Sequence, residues 1–256
     1  MSQDQVQKQF GENAHRYVTS KVHAQGASLG EMVRLAAPQS HWRTLDVAPG
    51  GGHSALAIAR HVRLVIALDI TFPMLRAARA FAHDQEQPNI LWVQGDGARL
   101  PFERNSFDLI TCRVALHHFP DQAAAIRDWA RCLKPGGRLV LVDNIGPEDH
   151  AANDYINAFE KLRDPSHGRV HPPARLIAFI EASGLSLINA ATLRKPMRFH
   201  PWMERMQVSS PHRQRLTHML WESQGAAHDF LNPQGEDENT TFDLWEGLFL
   251  AQKLGK

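Results

Sequence analysis

The sequence predicts an α/β fold in which a doubly wound, mainly parallel sheet is flanked by helices. Segments with strand character alternate with segments of helical periodicity between residues 44 and 143, and the connections are short. The run LVIALDI at 64–70 is almost continuously apolar, which is typical of a strand buried on both faces of a parallel sheet. A glycine-rich turn, Gly50 to Gly52, separates the first strand from the first helix. These observations indicate one sheet with crossover helices on both sides.

Length and composition restrict the class of protein. The chain has 256 residues, 43% of them apolar, which suits one decorated α/β domain or two small domains. A net charge of +1 lacks the basic excess of a nucleic-acid-binding protein, and the 15 histidines are not set at metal-ligand spacing. Cys112 and Cys132 fall inside predicted elements, as in a reducing compartment. We therefore expect a cytoplasmic protein with no bound metal, signal peptide or membrane span.

The first part of the chain is organised as a helical cap followed by strand–helix units. Residues 1–36 are predicted to form an N-terminal helical cap, and residues 37–256 the main domain. The glycines that follow Pro135 are taken as the stop signal of a preceding helix. Strands are predicted at 44–48, 64–70, 90–94, 107–112 and 138–143, and helices at 54–62, 73–85 and 121–133.

The regular alternation ends after residue 144. Helical insertions are predicted near 146–171 and 200–238, and a further helix at 172–183. Strands are predicted at 185–192 and 240–250. Because no helix of ordinary crossover size and character joins these two strands, we expect them to form an antiparallel pair at the sheet edge.

The stretch TLDVAPGGGHSALA at 44–57 contains the first chemical motif. Its strand ends at Pro49, and glycines then lead into a helix. A glycine turn lets the backbone approach a ligand closely, and the helix N-terminus supplies unpaired N–H groups. A strand, glycine loop and helix in this order indicate a nucleotide-cofactor site, although glycines also make ordinary tight turns.

Two acidic residues follow later strands at informative positions. Ligands of open α/β sheets bind beyond the carboxyl ends of the strands. Asp69 ends the second strand about 20 residues after the glycine loop, where a carboxylate can accept hydrogen bonds from two ribose hydroxyls. Asp96 ends the third strand and can accept from an exocyclic amine such as that of adenine. The alternatives are a helix N-cap for Asp69 and a turn role for Asp96 in Gly-Asp-Gly.

Taken together, these segments resemble the class I S-adenosylmethionine-dependent methyltransferases, particularly the small-molecule group that includes the ubiquinone/menaquinone C-methyltransferases. The resemblance spans roughly residues 40–192 and implies a Rossmann-like sheet of seven strands with the last strand antiparallel. The matching segments are LDVAPGGGH (45–53), ALDITFPML (67–75), QGDGARLPF (94–102), FDLITCRVALHHF (107–119) and LKPGGRLVLVDN (133–144).

The resemblance also implies S-adenosyl-L-methionine as cofactor and assigns its contacts. Asp69 would bind the ribose with Ile70 beside the adenine, and Asp96 and Gly97 would meet the adenine amine. Ala48 departs from the family pattern, because many members have glycine there. The remaining expected cofactor contacts are Asp46, Ala48, Gly50, Gly52, Met74 and Arg113, with Tyr17 and Ser20 from an N-terminal segment that closes over the cofactor in related proteins.

His117 and His118 are the candidate catalytic residues. A sulfonium methyl is already activated, so the enzyme mainly aligns an acceptor in line with the S–CH₃ bond and excludes water. A base is required when the acceptor arrives protonated, and an unperturbed imidazole titrates near neutrality. Both histidines follow the fourth strand, close to the expected methyl position. The alternative is a purely structural role for both.

The predicted function is methyl transfer to a small, apolar or aromatic acceptor. One rival is an NAD(P)-dependent oxidoreductase, because residues 50–55 also satisfy a G-x-G-x-x-A pattern. The other is a noncatalytic S-adenosylmethionine-binding protein. Four large side chains of the late insertion are interpreted as helix core rather than acceptor pocket: Trp202, Met203, Met206 and Trp221.

Overall fold

Seven strands form one sheet in the order β3-β2-β1-β4-β5-β7-β6. The computed structural model describes residues 7, 10, 11 and 26–255. Neighbouring strands from β3 through β5 are parallel, and β7 runs antiparallel to both β5 and β6, which confirms the predicted fold class. The strands are β1 (Arg43–Val47), β2 (Leu64–Asp69), β3 (Ile90–Gln94), β4 (Phe107–Arg113), β5 (Leu133–Asn144), β6 (Leu185–Arg198) and β7 (Thr241–Lys253).

Helices cover the sheet and form the two late insertions. None of the helices in the described part of the chain is both long and apolar enough to cross a bilayer. The helices are α1 (Ala27–Ala36), α2 (His53–Ala59), α3 (Phe72–Asp84), α4 (Gln122–Cys132), α5 (His150–Arg163), α6 (Pro173–Ala182), α7 (Phe199–Arg205), α8 (Ser210–Trp221) and α9 (Gly225–Leu231), with short 3-10 turns at Leu116–His118 and Asp237–Asn239.

Two hydrophobic cores pack against the two faces of the sheet. Side chains of a strand alternate between faces, so Val65 of β2 enters one core and Ile66 the other. The first core includes Trp129 of α4, and the second includes Met32 of α1 and Ile58 of α2. Helices therefore lie on both sides of the sheet, as a doubly wound fold requires.

A third core lies between the late helices and the ends of β6 and β7. Phe159 of α5 stacks at 5.2 Å on Trp202 of α7, and both are buried with Met203. Met206 packs partly against this core. The interpretation of these residues as helix core is confirmed, but it is wrong for Trp221, which is 41% exposed at the end of α8.

The boundaries of β5 and β6 differ from those expected from the sequence. Strand β5 starts at Leu133, immediately after α4, because Leu133 pairs with Phe107 of β4. Gly136, with φ of 77°, lies inside this irregular strand rather than in a separate loop. Strand β6 continues to Arg198, because its whole length pairs with β7. Strand pairing, which has no local sequence signal, sets both boundaries.

Candidate active site

A cleft lies at the carboxyl ends of β1 to β4, where the order of the strands reverses between β1 and β4. Its empty space is about 1030 Å³ with the open mouth included. The walls come from residues 48–51 after β1, 68–71 at the end of β2, 96–98 after β3, and 113–115 with 118–120 after β4. The cleft thus gathers the segments that the sequence singled out.

The glycine loop after β1 combines a close approach to the protein with an open face toward the cleft. Gly52 has φ of 86°, and a Cβ there would lie 3.0 Å from the Trp92 ring and 3.2 Å from the Ala78 Cβ. Gly50 has φ of 56°, lines the cleft, and would place a Cβ in open space. Gly52 is therefore required for packing, whereas Gly50 leaves room for a ligand.

Ala48 does not close the loop over the cleft. Its backbone adopts φ of 52°, and its N–H donates to the Leu68 carbonyl at 2.8 Å. Alanine tolerates this left-handed conformation at a cost that glycine would avoid. Ala48 lines the cleft beside Pro49 and Gly50, so the departure from the family pattern preserves an open site.

Asp46 lies beneath the loop and is absent from the cleft wall. Its two carboxylate oxygens accept hydrogen bonds from Ser54 Oγ at 2.6 Å and Thr111 Oγ1 at 2.7 Å. Complete burial raises the pKa of Asp46 to about 6, against the lowering effect of these hydroxyls. Asp46 thus ties the start of α2 to β1 and β4, and its expected contact with a cofactor stays a prediction.

Asp69 stands at the cleft wall at the end of β2. Its Oδ1 accepts the Thr71 N–H at 2.8 Å, and burial raises the pKa of the carboxyl group to about 6. Thr71 occupies the N-cap position of α3. Ile70 and Met74 line the cleft next to Asp69. An acid and two apolar side chains therefore lie together at this part of the cleft wall.

Asp96 and Gly97 line the cleft after β3. Asp96 Oδ1 accepts the Ala98 N–H at 2.8 Å, which is the turn role considered for this residue. Gly97 is packed tightly, because a Cβ there would lie 2.7 Å from Val47 Cγ1. Its carbonyl accepts the Trp129 Nε1–H at 2.7 Å. The turn role and exposure to the cleft coexist at Asp96.

Arg113 and Val114 form the wall after β4. The Arg113 guanidinium lies 3.4 Å from Ser28 Oγ, and burial lowers its pKa despite the nearby Glu246 and Asp46. Val114 has φ of 54°, which is unusual for a β-branched residue, and its N–H donates to the Val142 carbonyl at 2.7 Å. Strain of this kind concentrates at functional sites, and no sequence pattern indicated it.

The two candidate histidines occupy different places. His118 lines the cleft, whereas His117 is buried behind it and is absent from the wall. The His117 ring nitrogen Nδ1 lies 2.6 Å from Asp143 Oδ1, and the His118 Nδ1 lies 2.7 Å from the Ser166 carbonyl. Local sequence spacing does not indicate the pairing of His117 with Asp143, which lies 26 positions away.

The segment after α5 packs against both histidines. The N–H groups of Gly168 and Arg169 donate to the His117 carbonyl at 3.1 and 3.0 Å. Asp164 accepts hydrogen bonds from the Ser166 N–H and hydroxyl, which fixes the Ser166 carbonyl that meets His118. This segment thus supports the histidines from outside the sheet.

An N-terminal residue also reaches the cleft. Phe10 lines it and packs edge-on against the His118 ring at 5.0 Å between centroids. Gln7 Nε2 donates to the Ile70 carbonyl at the cleft rim. Tyr17 and Ser20, the N-terminal contacts expected from the resemblance, lie outside the described residues.

The chain is similar to a methyltransferase family and to individual methyltransferases among curated proteins. A methyltransferase domain model matches residues 45–141. The uncharacterised methyltransferase YcgJ of Bacillus subtilis is 36% identical over 231 residues, covering 89% of this chain and 91% of its own length. A ubiquinone/menaquinone biosynthesis C-methyltransferase, UbiE of Pseudomonas putida, is 30% identical over 183 residues, covering 68% of this chain and 65% of UbiE.

Solved structures agree with these matches. The crystal structure of the YcgJ protein aligns with a TM-score of 0.85 and 32% identity, covering 90% of this chain and 99% of that one. Phosphoethanolamine N-methyltransferase 2 of Haemonchus contortus, solved in complex with S-adenosyl-L-methionine, has a TM-score of 0.61 at 17% identity, covering 94% of this chain and 56% of that one. This second likeness shows the fold alone. From its sequence relatives and its fold, the chain belongs to the class I S-adenosylmethionine-dependent methyltransferases.

Proposed function

We propose that this methyltransferase transfers the methyl group of S-adenosyl-L-methionine in line to a small, apolar or aromatic acceptor. The observation that carries the proposal is the cleft itself. It combines an open glycine loop at Gly50, an acid at Asp69 and an acid at Asp96 at the ends of three successive strands of the sheet. The solved H. contortus methyltransferase with this fold contains the same cofactor.

The residues of the cleft fit a nucleoside with an amino-acid tail. The Gly50 backbone faces empty space that a side chain would enter, so a ligand can approach it closely. Asp69 can accept from ribose hydroxyls, and Asp96 from an adenine amine. Arg113 lines the cleft, and its positive charge would attract the carboxylate of the tail. Ile70 and Met74 offer an apolar surface to the adenine.

When bound, the cofactor supplies a methyl group on a positively charged sulfur, which needs no further activation. The chain contributes alignment and exclusion of water. Phe10 and Phe119 cover parts of the cleft wall with apolar surface and thereby reduce the access of water. Holding the acceptor in line is worth about 7–11 kcal/mol of the barrier in well-oriented systems.

His118 is the proposed base for acceptors that arrive protonated. It lines the cleft, and its Nδ1 faces the Ser166 carbonyl, which can only accept a hydrogen bond. Nδ1 therefore carries the ring hydrogen, and Nε2 of the neutral ring carries the lone pair. A phenol, carbon acid or thiol bound in the cleft would transfer its proton to Nε2 as the methyl group arrives.

An apolar acceptor follows from the cleft wall rather than from the late helices. Leu68, Val114, Ala115 and Phe119 line the cleft together with few charged groups. The Trp202 and Met203 side chains are buried in the third core. Selectivity for an aromatic or apolar acceptor therefore depends on the loops after β2 and β4.

The test is transfer of radiolabel from methyl-labelled S-adenosylmethionine to a panel of small phenols, hydroquinones, thiols and hydrophilic amines. We expect label in phenolic or hydroquinone acceptors and a loss of about 10²–10⁴-fold in that transfer for His118→Gln. His83→Gln serves as the matched control, because its ring is 91% exposed far from the wall of the cleft. Labelling confined to hydrophilic amines would contradict the proposed acceptor class. Full activity of His118→Gln would show that His118 is not the base.

A further inference from the structure

We propose that Asp143 is a positioning residue that holds the proton of the histidine pair on His117 and thereby keeps His118 neutral at the cleft. This inference deepens the proposed function, since it concerns the group that would accept the proton of the acceptor. Asp143 lies behind the cleft and is not part of the wall that would contact the cofactor or the acceptor.

Asp143 acts as a hydrogen-bond acceptor for three N–H groups. Its Oδ2 accepts the His117 backbone N–H at 2.7 Å, and its Oδ1 accepts the Asn144 backbone N–H at 2.8 Å. The His117 Nδ1 lies 2.6 Å from Oδ1. Backbone N–H groups can only donate, so the carboxylate is the acceptor throughout and His117 Nδ1 carries a hydrogen. One side chain thus fixes both the backbone and the ring of His117.

The two imidazole rings lie too close together to be charged at once. Their centroids are 4.1 Å apart, and His117 is buried while His118 is partly buried. Like charges at this distance strongly disfavour a second protonation, so the pair binds its first proton at one ring. Asp143 makes His117 that ring. Burial alone would lower the pKa of His117, but the charge and hydrogen bond of Asp143 raise it.

The same arrangement lowers the pKa of His118 instead of raising it. Burial and the neighbouring His117 lower the pKa of His118 to about 4. The His118 Nδ1–H donates to the Ser166 carbonyl, so Nε2 of the neutral ring carries the lone pair. The division of roles follows from the partners: a carboxylate for His117 and a backbone carbonyl for His118.

Other charged groups around the pair come from α5 and the segment after it. Glu160 is buried, its Oε1 has no hydrogen-bond partner among the described residues, and burial raises its pKa. Asp164 and Glu160 both favour a charged His117 through space. Burial is the main cause of the lowered pKa of His167, and the positive charges of Lys161 and Arg163 lower it further. Among these described groups, Asp143 is the one hydrogen-bonded to the His117 ring.

His167 is the third imidazole of the cluster and stays neutral. Its centroid lies 5.7 Å from that of His117, and its Nε2 lies 2.9 Å from Asn157 Oδ1. The Val170 N–H donates to the same Asn157 oxygen, which identifies that atom as an acceptor and His167 Nε2 as a donor. Burial, followed by the neighbouring His117, lowers the pKa of His167, so His167 does not compete with His117 for the proton.

Nitrogen NMR of the full chain, labelled with ¹⁵N-histidine, tests the inference without any acceptor. His117→Gln and His118→Gln identify the two ring patterns by their absence. At pH 6 the unaltered protein should show a protonated His117, whose pKa Asp143 raises, and a neutral His118 with its hydrogen on Nδ1. In Asp143→Asn the His117 midpoint should fall, and the His118 midpoint should rise by about one pH unit.

Asp154→Asn is the matched control, because Asp154 lies on α5 and pairs with Arg169 at the surface. It should leave both midpoints unchanged. If Asp143→Asn does not fold, His117→Gln alone should still raise the His118 midpoint. A neutral His117 at pH 6 in the unaltered protein, or unchanged midpoints in a folded Asp143→Asn, would overturn the inference. Because the readout is a titration, its failure is distinct from a failure of methyl transfer.

Discussion

At the scale of single residues, Asp69 gives the site a predictable response to pH. Burial raises the pKa of its carboxyl group to about 6 in the unliganded protein. The proposed contact with ribose hydroxyls needs the ionised form as acceptor, so binding of the cofactor would favour the carboxylate. Affinity is therefore full above pH 6 and is lost as pH falls through that value. We expect S-adenosylhomocysteine to bind roughly tenfold more weakly at pH 5 than at pH 7, as measured by calorimetry.

Asp69→Asn separates this effect from the titration of other groups. Asp46 also has a pKa of about 6, so the unaltered protein alone cannot assign the pH dependence. Loss of hydrogen bonds to a charged acceptor should weaken binding by about 10–100-fold at pH 7. The affinity of the variant should then be nearly independent of pH between 5 and 7. An unchanged pH dependence in Asp69→Asn would assign the effect to Asp46 instead.

Sequence reasoning located the residues whose positions follow from strand ends. Asp69, Asp96 and Gly50 all line the cleft because each follows or ends a parallel strand, and such ends meet at one edge of the sheet. The pairing of His117 with Asp143 joins residues 26 positions apart on neighbouring strand ends. It depends on side-chain direction rather than on local spacing. The strained backbone at Val114 likewise has no residue type that would announce it.

At the scale of structural elements, the loop between β1 and α2 contains three glycines, of which Gly50 and Gly52 have different roles. Both have positive φ, so replacing either by alanine should cost about 1–2 kcal/mol in unfolding free energy. Gly52→Ala should cost a further ~1–3 kcal/mol, because its Cβ would press on Trp92 and Ala78. Urea unfolding of the two variants measures the difference.

Ligand binding should reverse the order of the two variants. The Gly50→Ala side chain would enter open space at the cleft, so this variant should weaken S-adenosylhomocysteine binding more than its stability loss suggests. Gly52→Ala should act mainly on stability. If Gly50→Ala binds as tightly as the unaltered protein, the ligand does not approach the loop at this position.

Elements were predicted well where the local pattern determines them. Strand β2 and helix α3 were expected close to their observed bounds, because an apolar run and a proline at the helix start are local signals. The start of β5 and the end of β6 depend on pairing with β4 and β7 and were misjudged. The exposed Trp221 shows the same limit, since helical spacing does not indicate which residue ends the buried face.

At the scale of the whole molecule, the strand order brings the site together. The reversal between β1 and β4 opens a gap at the carboxyl edge, and the loops after β1 to β4 fill its walls. The antiparallel β7 inserts between β5 and β6 and carries the edge of the sheet toward the late helices. These helices form a core of their own, so the cleft is built almost entirely from the sheet and its loops.

The central claim is that the cleft binds a sulfonium cofactor and its thioether product rather than a nicotinamide dinucleotide. Calorimetric titration of the full chain with S-adenosylhomocysteine, and separately with NADH, tests it most directly at pH 7.5. We expect saturable binding of S-adenosylhomocysteine at one site per chain, with loss of affinity in Asp69→Asn, and no saturable binding of NADH. Binding of NADH without S-adenosylhomocysteine, or of neither ligand to the folded protein, would contradict it.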